Sequence, residues 1–403
     1  MAGKRGHGEG TITKRPDGRW MAQITIGRDP ATGKLKRLTR YFKTRQEAQA
    51  WLAEVQHQMN TGSFVEPNKV TVADWLDRWL EVYVKPKVRA KTYHGYRDAA
   101  RLHIIPKIGH IPLTQLQAGD LQMLYNEKLQ SGRLNGKGGL YSRTIHLMHQ
   151  VIHGALQQAV KEQLVYRNVS EAVSLPKMRH KEIQPLTAEQ VTRFLEVAKE
   201  DRLYAAFLMD IGTGMRRGEL LALRWQDIDL KKGVAHIRRS LGRVKAEGGQ
   251  TKTALVFDEP KTSKSKRDVP LPGEVIRELK EHRKRQLQEK LLFGQAYQDN
   301  DLVFATEDGK PIDPDNFGKR YARLLDKAGI PHVALHNLRH TCATLLLEAG
   351  EHPKVVQELL GHTKVSTTLD LYSHVRPELL EQAAEKLNAF LKQKEKPSKE
   401  GKR

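Results

Sequence analysis

The spacing of apolar residues changes period within the first sixty positions, and that change limits what this 403-residue chain can fold into. From Trp20 to Ile26 the pattern alternates, which places Trp20, Ala22, Ile24 and Ile26 on one face of a strand. Turn signals flank it at Pro16–Gly18 and Asp29–Gly33, and Leu35–Phe42 reads as a third strand whose inward face alternation does not decide. At Thr44 the period becomes helical. Thr44 and Glu47 form a capping box, and Ala48, Trp51, Leu52, Val55 and Met59 follow as one stripe. Residues 1–65 are therefore predicted to form a three-stranded sheet with one helix.

The helical period then persists through residues 69–172. Thr71 suits the cap of a helix whose face carries Val72, Trp75, Leu76, Trp79, Leu80 and Tyr83. Ser142 opens another, with Ile145, Met148, Ile152, Ala155, Leu156 and Ala159 on one side, and two more fit Thr92–Ile105 and Ala118–Gln130. These stripes are core packing rather than a cofactor box. Residues 173–186, with prolines at 176 and 185, read as an exposed basic linker, and the capping box Thr187/Gln190 opens a further domain over 187–392. The charged tail 393–403 is predicted to be disordered. No internal repeat precedes it, and phosphate-loop, dinucleotide and HExxH metal motifs are absent.

Charge narrows the partners. Lys and Arg number 69 against 47 Asp and Glu, a formal net charge of +22. Such an excess suits a polyanion, because neutralising phosphates releases their counterions. An anionic membrane is the competing surface, but no long apolar segment supports insertion and the basic residues are not confined to one amphipathic helix. Nucleic acid is favoured. The single cysteine, Cys342, excludes an intrachain disulfide and a multi-cysteine zinc site. The N-terminal segment has no apolar signal stretch, so a cytoplasmic location is expected.

The chemistry-bearing residues lie in the last half. His336 and Arg339 are spaced to share a helix face, and Thr341–Ala349 reads as a helix closed by Gly350. Pro353 suits the first turn of the next helix, which Gly361 ends; His362 follows at once and Tyr372 ten positions later. Upstream, Arg216 lies beyond a Gly212/Gly214 break with Glu219 three residues on, placed to brace the guanidinium. Lys261 opens a polar, hairpin-like segment ending at Pro270. A nucleophile, imidazoles and guanidiniums together suit phosphoryl transfer without a metal or other cofactor.

At these residues the chain resembles the tyrosine recombinase family, also called phage-type integrases: Arg216, Lys261, His336, Arg339, His362 and Tyr372 follow the family's catalytic order. The resemblance is strong over 187–390 and weaker over 1–175. It implies a multidomain, mainly α fold with small β-sheets. An arm-type DNA-binding domain would span 1–65, with its sheet in the major groove and Arg19, Arg37 and Arg40 as candidate contacts. A helical core-binding domain would span 69–172, with Lys91, Thr92, Tyr93, Arg143 and Thr144 at helix starts facing phosphates. A mixed α/β catalytic domain would follow. Tyr372 would attack the scissile phosphate to give a 3′-phosphotyrosyl bond, with Arg216, Arg339 and His362 on the phosphate, His336 as base and Lys261 as acid. Lys264 and Lys266 remain alternatives to Lys261. The implied partners are DNA attachment sites, further copies of the chain as a tetramer on paired sites, and an accessory directionality factor. The run Leu380, Ala383, Ala384, Leu387, Leu391 is an expected oligomer contact. A type IB topoisomerase and an inert DNA-binding regulator are the competing readings.

Overall fold

The computed structural model describes residues 10–28, 32–66, 68–178, 184–245, 253–259, 266–361, 384, 385 and 388. The chain divides into two compact units, Met1–Arg179 and His180–Arg403. Lys261, Lys264, His362, Tyr372, the tail 393–403 and all of the expected oligomer run except Ala384 lie outside the described residues.

In the first unit, strands β1 (Thr11–Lys14), β2 (Trp20–Arg28) and β3 (Leu35–Phe42) form an antiparallel sheet in that order. Helix α1 (Arg45–Asn60) covers one face, and its Thr44/Glu47 capping box is complete. Ala22 and Ile24 are fully buried, with Leu52 and Val55 of the helix packed into the same core. The register settles the inward face of β3. Leu38 lies opposite Ile24 and Arg40 opposite Ala22, so both stand on the helix side, whereas Arg37, opposite Thr25, stands on the open side.

Helices α2 (Val72–Trp79), α3 (Ala90–Asp98), α4 (Ile105–Ile108), α5 (Ala118–Ser131) and α6 (Ser142–Lys161) complete this unit. Thr71 caps α2, and the indole N–H of the fully buried Trp75 donates to the Ala155 carbonyl of α6 at 2.8 Å. Polar satisfaction lets a tryptophan sit at the centre of the helical core. The predicted Thr92–Ile105 helix is not uniform. It begins at Ala90, and Ala99–Ile104 widens into π-helix before α4. The widening leaves Pro106 in the first turn of α4, where its missing N–H costs no hydrogen bond.

The second unit contains α7 (Ala188–Ala198), α8 (Tyr204–Thr213), α9 (Arg217–Leu220), β4 (Ile228–Asp229), β5 (Val234–Ile237), β6 (Ser240–Lys245), β7 (Thr253–Asp258), β8 (Arg267–Pro270), α10 (Gly273–Phe293), α11 (Pro314–Lys327), α12 (Asn337–Glu348) and α13 (Pro353–Leu360). Helix α8 is apolar nearly all round, which requires burial, and it packs against α7, α10 and α12. Its Phe207 stacks on Phe317 of α11 with ring centroids 4.8 Å apart and meets Phe194 of α7 edge-on.

Two local expectations are corrected here. The described end of the Lys261–Pro270 segment, β8, does not pair with the strand before it: β7 pairs with β6, whereas β8 pairs with β5 in a separate sheet, β4–β5–β8. That pairing puts Val269 beside Ala235, both fully buried. The helix expected from Thr341 begins at Asn337, directly after His336. No described helix is long and apolar enough to cross a membrane.

Candidate active site

Helix α8 ends at Gly214 in the left-handed conformation, φ 58° and ψ 27°. A Cβ there would overlap Leu360 Cδ2 and come 3.2 Å from Cys342 Sγ, so only glycine fits this close approach. The turn leaves the Gly214 carbonyl free to accept from Arg339 Nη1 at 2.7 Å, and Arg339 Nη2 donates to the Leu360 carbonyl at 2.5 Å. Arg339 is 2% exposed. Burial, Arg216 and Arg267 push its pKa down, but from an intrinsic value so high that the guanidinium stays charged at neutral pH.

Arg216 follows the same turn and is the N-cap of α9 rather than a residue inside a helix. From there Glu219 still reaches it: Oε1 accepts from Arg216 Nη1 at 2.7 Å and Oε2 from its backbone N–H at 3.1 Å. Arg216 Nη2 donates to the Gly361 carbonyl at 3.1 Å. Burial raises the Glu219 pKa, yet the charges and hydrogen bonds of Arg267 and Arg216 outweigh it and leave the carboxyl below its usual value. Arg267 Nη2 donates to Glu219 Oε2 at 2.9 Å.

His336 caps α12 in αR conformation, and its ring meets His340 edge-on with centroids 5.2 Å apart. Burial, then the charges of Arg339, Arg216 and Arg217, lowers its pKa, so the imidazole is neutral and able to accept a proton. His340 is held lower still, at about 4, by burial, His336 and Arg339.

The structure thus brings Arg216, Glu219 and Arg339 together between the Gly214 turn and the end of α13, where Gly361 directly precedes His362 in sequence, and places His336 at the N-cap of the helix that carries Arg339. Lys266, an alternative acid, pairs with Glu259 at 3.0 Å. Sequence reasoning missed Arg267, His340 and Asp210. Asp210 is 2% exposed on α8, and burial pushes its carboxyl up to about 8 against the lowering charge of Arg339. A lone acid in the apolar run Phe207–Ile211 was the available signal. Arg267 gave none, being one cation in a basic run.

Among the candidate DNA contacts, Arg37 is exposed on the open face of the sheet, while Arg40 stands on the helix face with its guanidinium over Phe42. Arg19 pairs with Asp17 at 2.8 Å and lies over Tyr41, which Arg15 also covers; Arg15 was overlooked. Lys91, Thr92 and Arg143 are exposed. Tyr93 is corrected: it is 3% exposed and its hydroxyl donates to Glu81, so it faces no phosphate. The Thr92 and Thr144 backbone N–H groups donate to the Arg89 and Tyr141 carbonyls, leaving side chains as their contacts.

The chain is 35% identical to a Tyrosine recombinase XerC-like protein of Caldanaerobacter subterraneus subsp. tengcongensis, across 91% of this chain and 94% of the relative. The chain belongs to the tyrosine recombinase family. Profiles for the Phage integrase family, the Phage integrase N-terminal SAM-like domain and the Arm DNA-binding domain match residues 184–378, 71–129 and 11–59 of this recombinase. The Integrase of Staphylococcus phage L54a is 27% identical over 83% of this chain and 98% of its own. The solved Tn1549 transposon integrase in complex with transposon right end DNA shares the fold, with TM-score 0.64 at 23% identity over 79% of this chain and 99% of that one.

Proposed function

We propose that this recombinase cleaves and rejoins DNA at specific sites through a 3′-phosphotyrosyl intermediate, integrating or excising a mobile element. The carrying observation is the convergence of Arg216 and Arg339 on the end of α13, whose last described residue, Gly361, precedes His362, with His336 at the N-cap of the helix that carries Arg339. A relative that is an integrase of a phage supports the mobile-element reading.

Guanidinium forks bind phosphate oxygens in pairs and remain charged, so Arg216 and Arg339 suit the non-bridging oxygens where charge develops. His362 adds a donor to the phosphate, His336 takes the proton of Tyr372, and Lys261 protonates the departing 5′-oxygen. Residues 1–65 bind arm sites, 69–172 bind the core site, 173–186 link them to the catalytic domain 187–392, and four protomers assemble on paired duplexes. Recombination conserves the phosphodiester as a protein–DNA bond.

Tyr372→Phe tests this directly on a nicked duplex that traps the covalent adduct. The variant should bind the duplex within about threefold of wild type, because phosphate contacts from the basic surface persist, and form no adduct. Wild-type adduct should form in excess chelator. Adduct formation by Tyr372→Phe would assign the attack to another group.

A further inference from the structure

Three consecutive carbonyls at the end of α13 each accept from a different arginine. Arg267 Nε donates to Leu359 at 3.0 Å, Arg339 Nη2 to Leu360 at 2.5 Å and Arg216 Nη2 to Gly361 at 3.1 Å. A helix end leaves such carbonyls without intrahelical partners, and the left-handed Gly361, φ 67°, turns the chain there. Arg267 lies directly against this turn: a Cβ at Gly361 would stand 3.0 Å from its Cδ and 3.2 Å from its Nε and Nη1.

Arg267 differs from Arg216. Its side chain is 8% exposed against 38% for Arg216, and its Nε and Nη2 donate to Leu359 and Glu219. Glu219 in turn grips Arg216 through its other oxygen. The contacts therefore close a ring from Leu359 through Arg267, Glu219 and Arg216 to Gly361. Charge counts in the same direction. Glu219 alone would neutralise Arg216, whereas a second buried guanidinium leaves the triad with one net positive charge directed at the one exposed member.

We propose that Arg267 is a positioning residue for strand cleavage. It holds Arg216 in place through Glu219, offsets the carboxylate charge, and docks both onto the end of α13 without touching the phosphate itself. The proposal rests on the assignment of Arg216 to the scissile phosphate. A long side chain left to its own rotamers loses the preorganisation that phosphoryl transfer needs, and a misplacement near 1 Å costs about 10²-fold.

The test is single-turnover cleavage of a nicked duplex that spans the junctions of the element carrying this gene, with binding measured by fluorescence anisotropy. Arg267→Ala should cleave about 10²-fold more slowly and bind within about threefold, since its surface phosphate contacts are intact. A methylphosphonate at the scissile position removes a non-bridging charge and with it most of the need for Arg216. On that substrate the losses of Arg267→Ala and Arg216→Ala should both shrink to less than about tenfold, one factor of RT ln 10 in barrier. A 5′-phosphorothiolate, whose leaving group needs no acid, should rescue neither. Arg267→Lys keeps the charge but cannot span both acceptors, so it should fall between wild type and Arg267→Ala; it carries the same substrate test where Arg267→Ala does not fold. Wild-type cleavage by Arg267→Ala, an undiminished loss on methylphosphonate, or rescue by the phosphorothiolate would overturn the proposal. If Arg216→Ala itself cleaved normally, the assignment beneath it would fail first.

Discussion

Replacing Gly214 by alanine tests the turn that aligns both arginines. The backbone at φ 58° costs an L-residue roughly 1–2 kcal/mol. The added Cβ overlaps Leu360 Cδ2 and presses on Cys342 Sγ at 3.2 Å, both in the buried contact between α12 and α13. Overpacking of that kind costs about 1–3 kcal/mol. The two effects act at one residue, so we expect a total of about 2–4 kcal/mol rather than the sum of the extremes. At a urea m-value of ~3 kcal/mol per M, that moves the unfolding midpoint of the second unit down by about 1 M. Hydrogen–deuterium exchange across a urea series reads it locally, in peptides from α8 and α12. Gly273→Ala is the control, because no atom lies within 4 Å of its added Cβ and its φ is not positive. Cleavage should fall with stability, since the Gly214 carbonyl holds Arg339 at 2.7 Å. An unchanged midpoint in Gly214→Ala, with the control also unchanged, would refute the packing argument.

Three further outcomes are expected. Asp210→Asn should be more stable than wild type by about 2–5 kcal/mol at pH 8 and nearly equal at pH 4; the native carboxyl titrates at about 8 and the unfolded one near 3.8, so its stabilisation is present at low pH and lost as pH rises through 8. Thermal unfolding at both pH values reads this, and parallel curves would remove Asp210 as the source. Cleavage at subsaturating protein should keep its rate down to pH values below 6.5, because burial and three arginines hold His336 neutral there, and Arg217→Ala should move the acid limb toward 6.5; a limb above 6.5 would contradict the base assignment. Lys261→Ala should lose ~10²–10⁴-fold in cleavage and regain most of it on a 5′-phosphorothiolate duplex, while Lys266→Ala, whose ammonium pairs with Glu259, should lose little; rescue of Lys266→Ala instead would transfer the acid role.

Much of the architecture was legible because it is written in local periods. The alternation at Trp20–Ile26, the capping boxes at Thr44 and Thr187, the cap at Thr71, and the stripes of α1, α2 and α6 each depend on residues within one or two turns of one another. The Arg216–Glu219 contact was readable for the same reason. Local spacing could not locate where β8 pairs, since Val269 finds its partner in Ala235 rather than in the preceding strand. It also misplaced Tyr93, whose position at a helix start says nothing of the core and of Glu81 twelve residues away.

The sequence by itself determined the order of elements, the basic character of the surface and the succession of arginines, histidines and tyrosine that marks the family. Only the tertiary structure decided which face of β3 carries Arg40, that Asp210 is buried, and that Arg267 belongs to the site. The physical reason is separation along the chain. Arg267 meets Leu359 across 92 positions, Arg339 meets Gly214 across 125, and Arg216 meets Gly361 across 145. Contacts at such distances leave no period to read, and burial is conferred by the elements that happen to pack above a residue rather than by its neighbours in sequence.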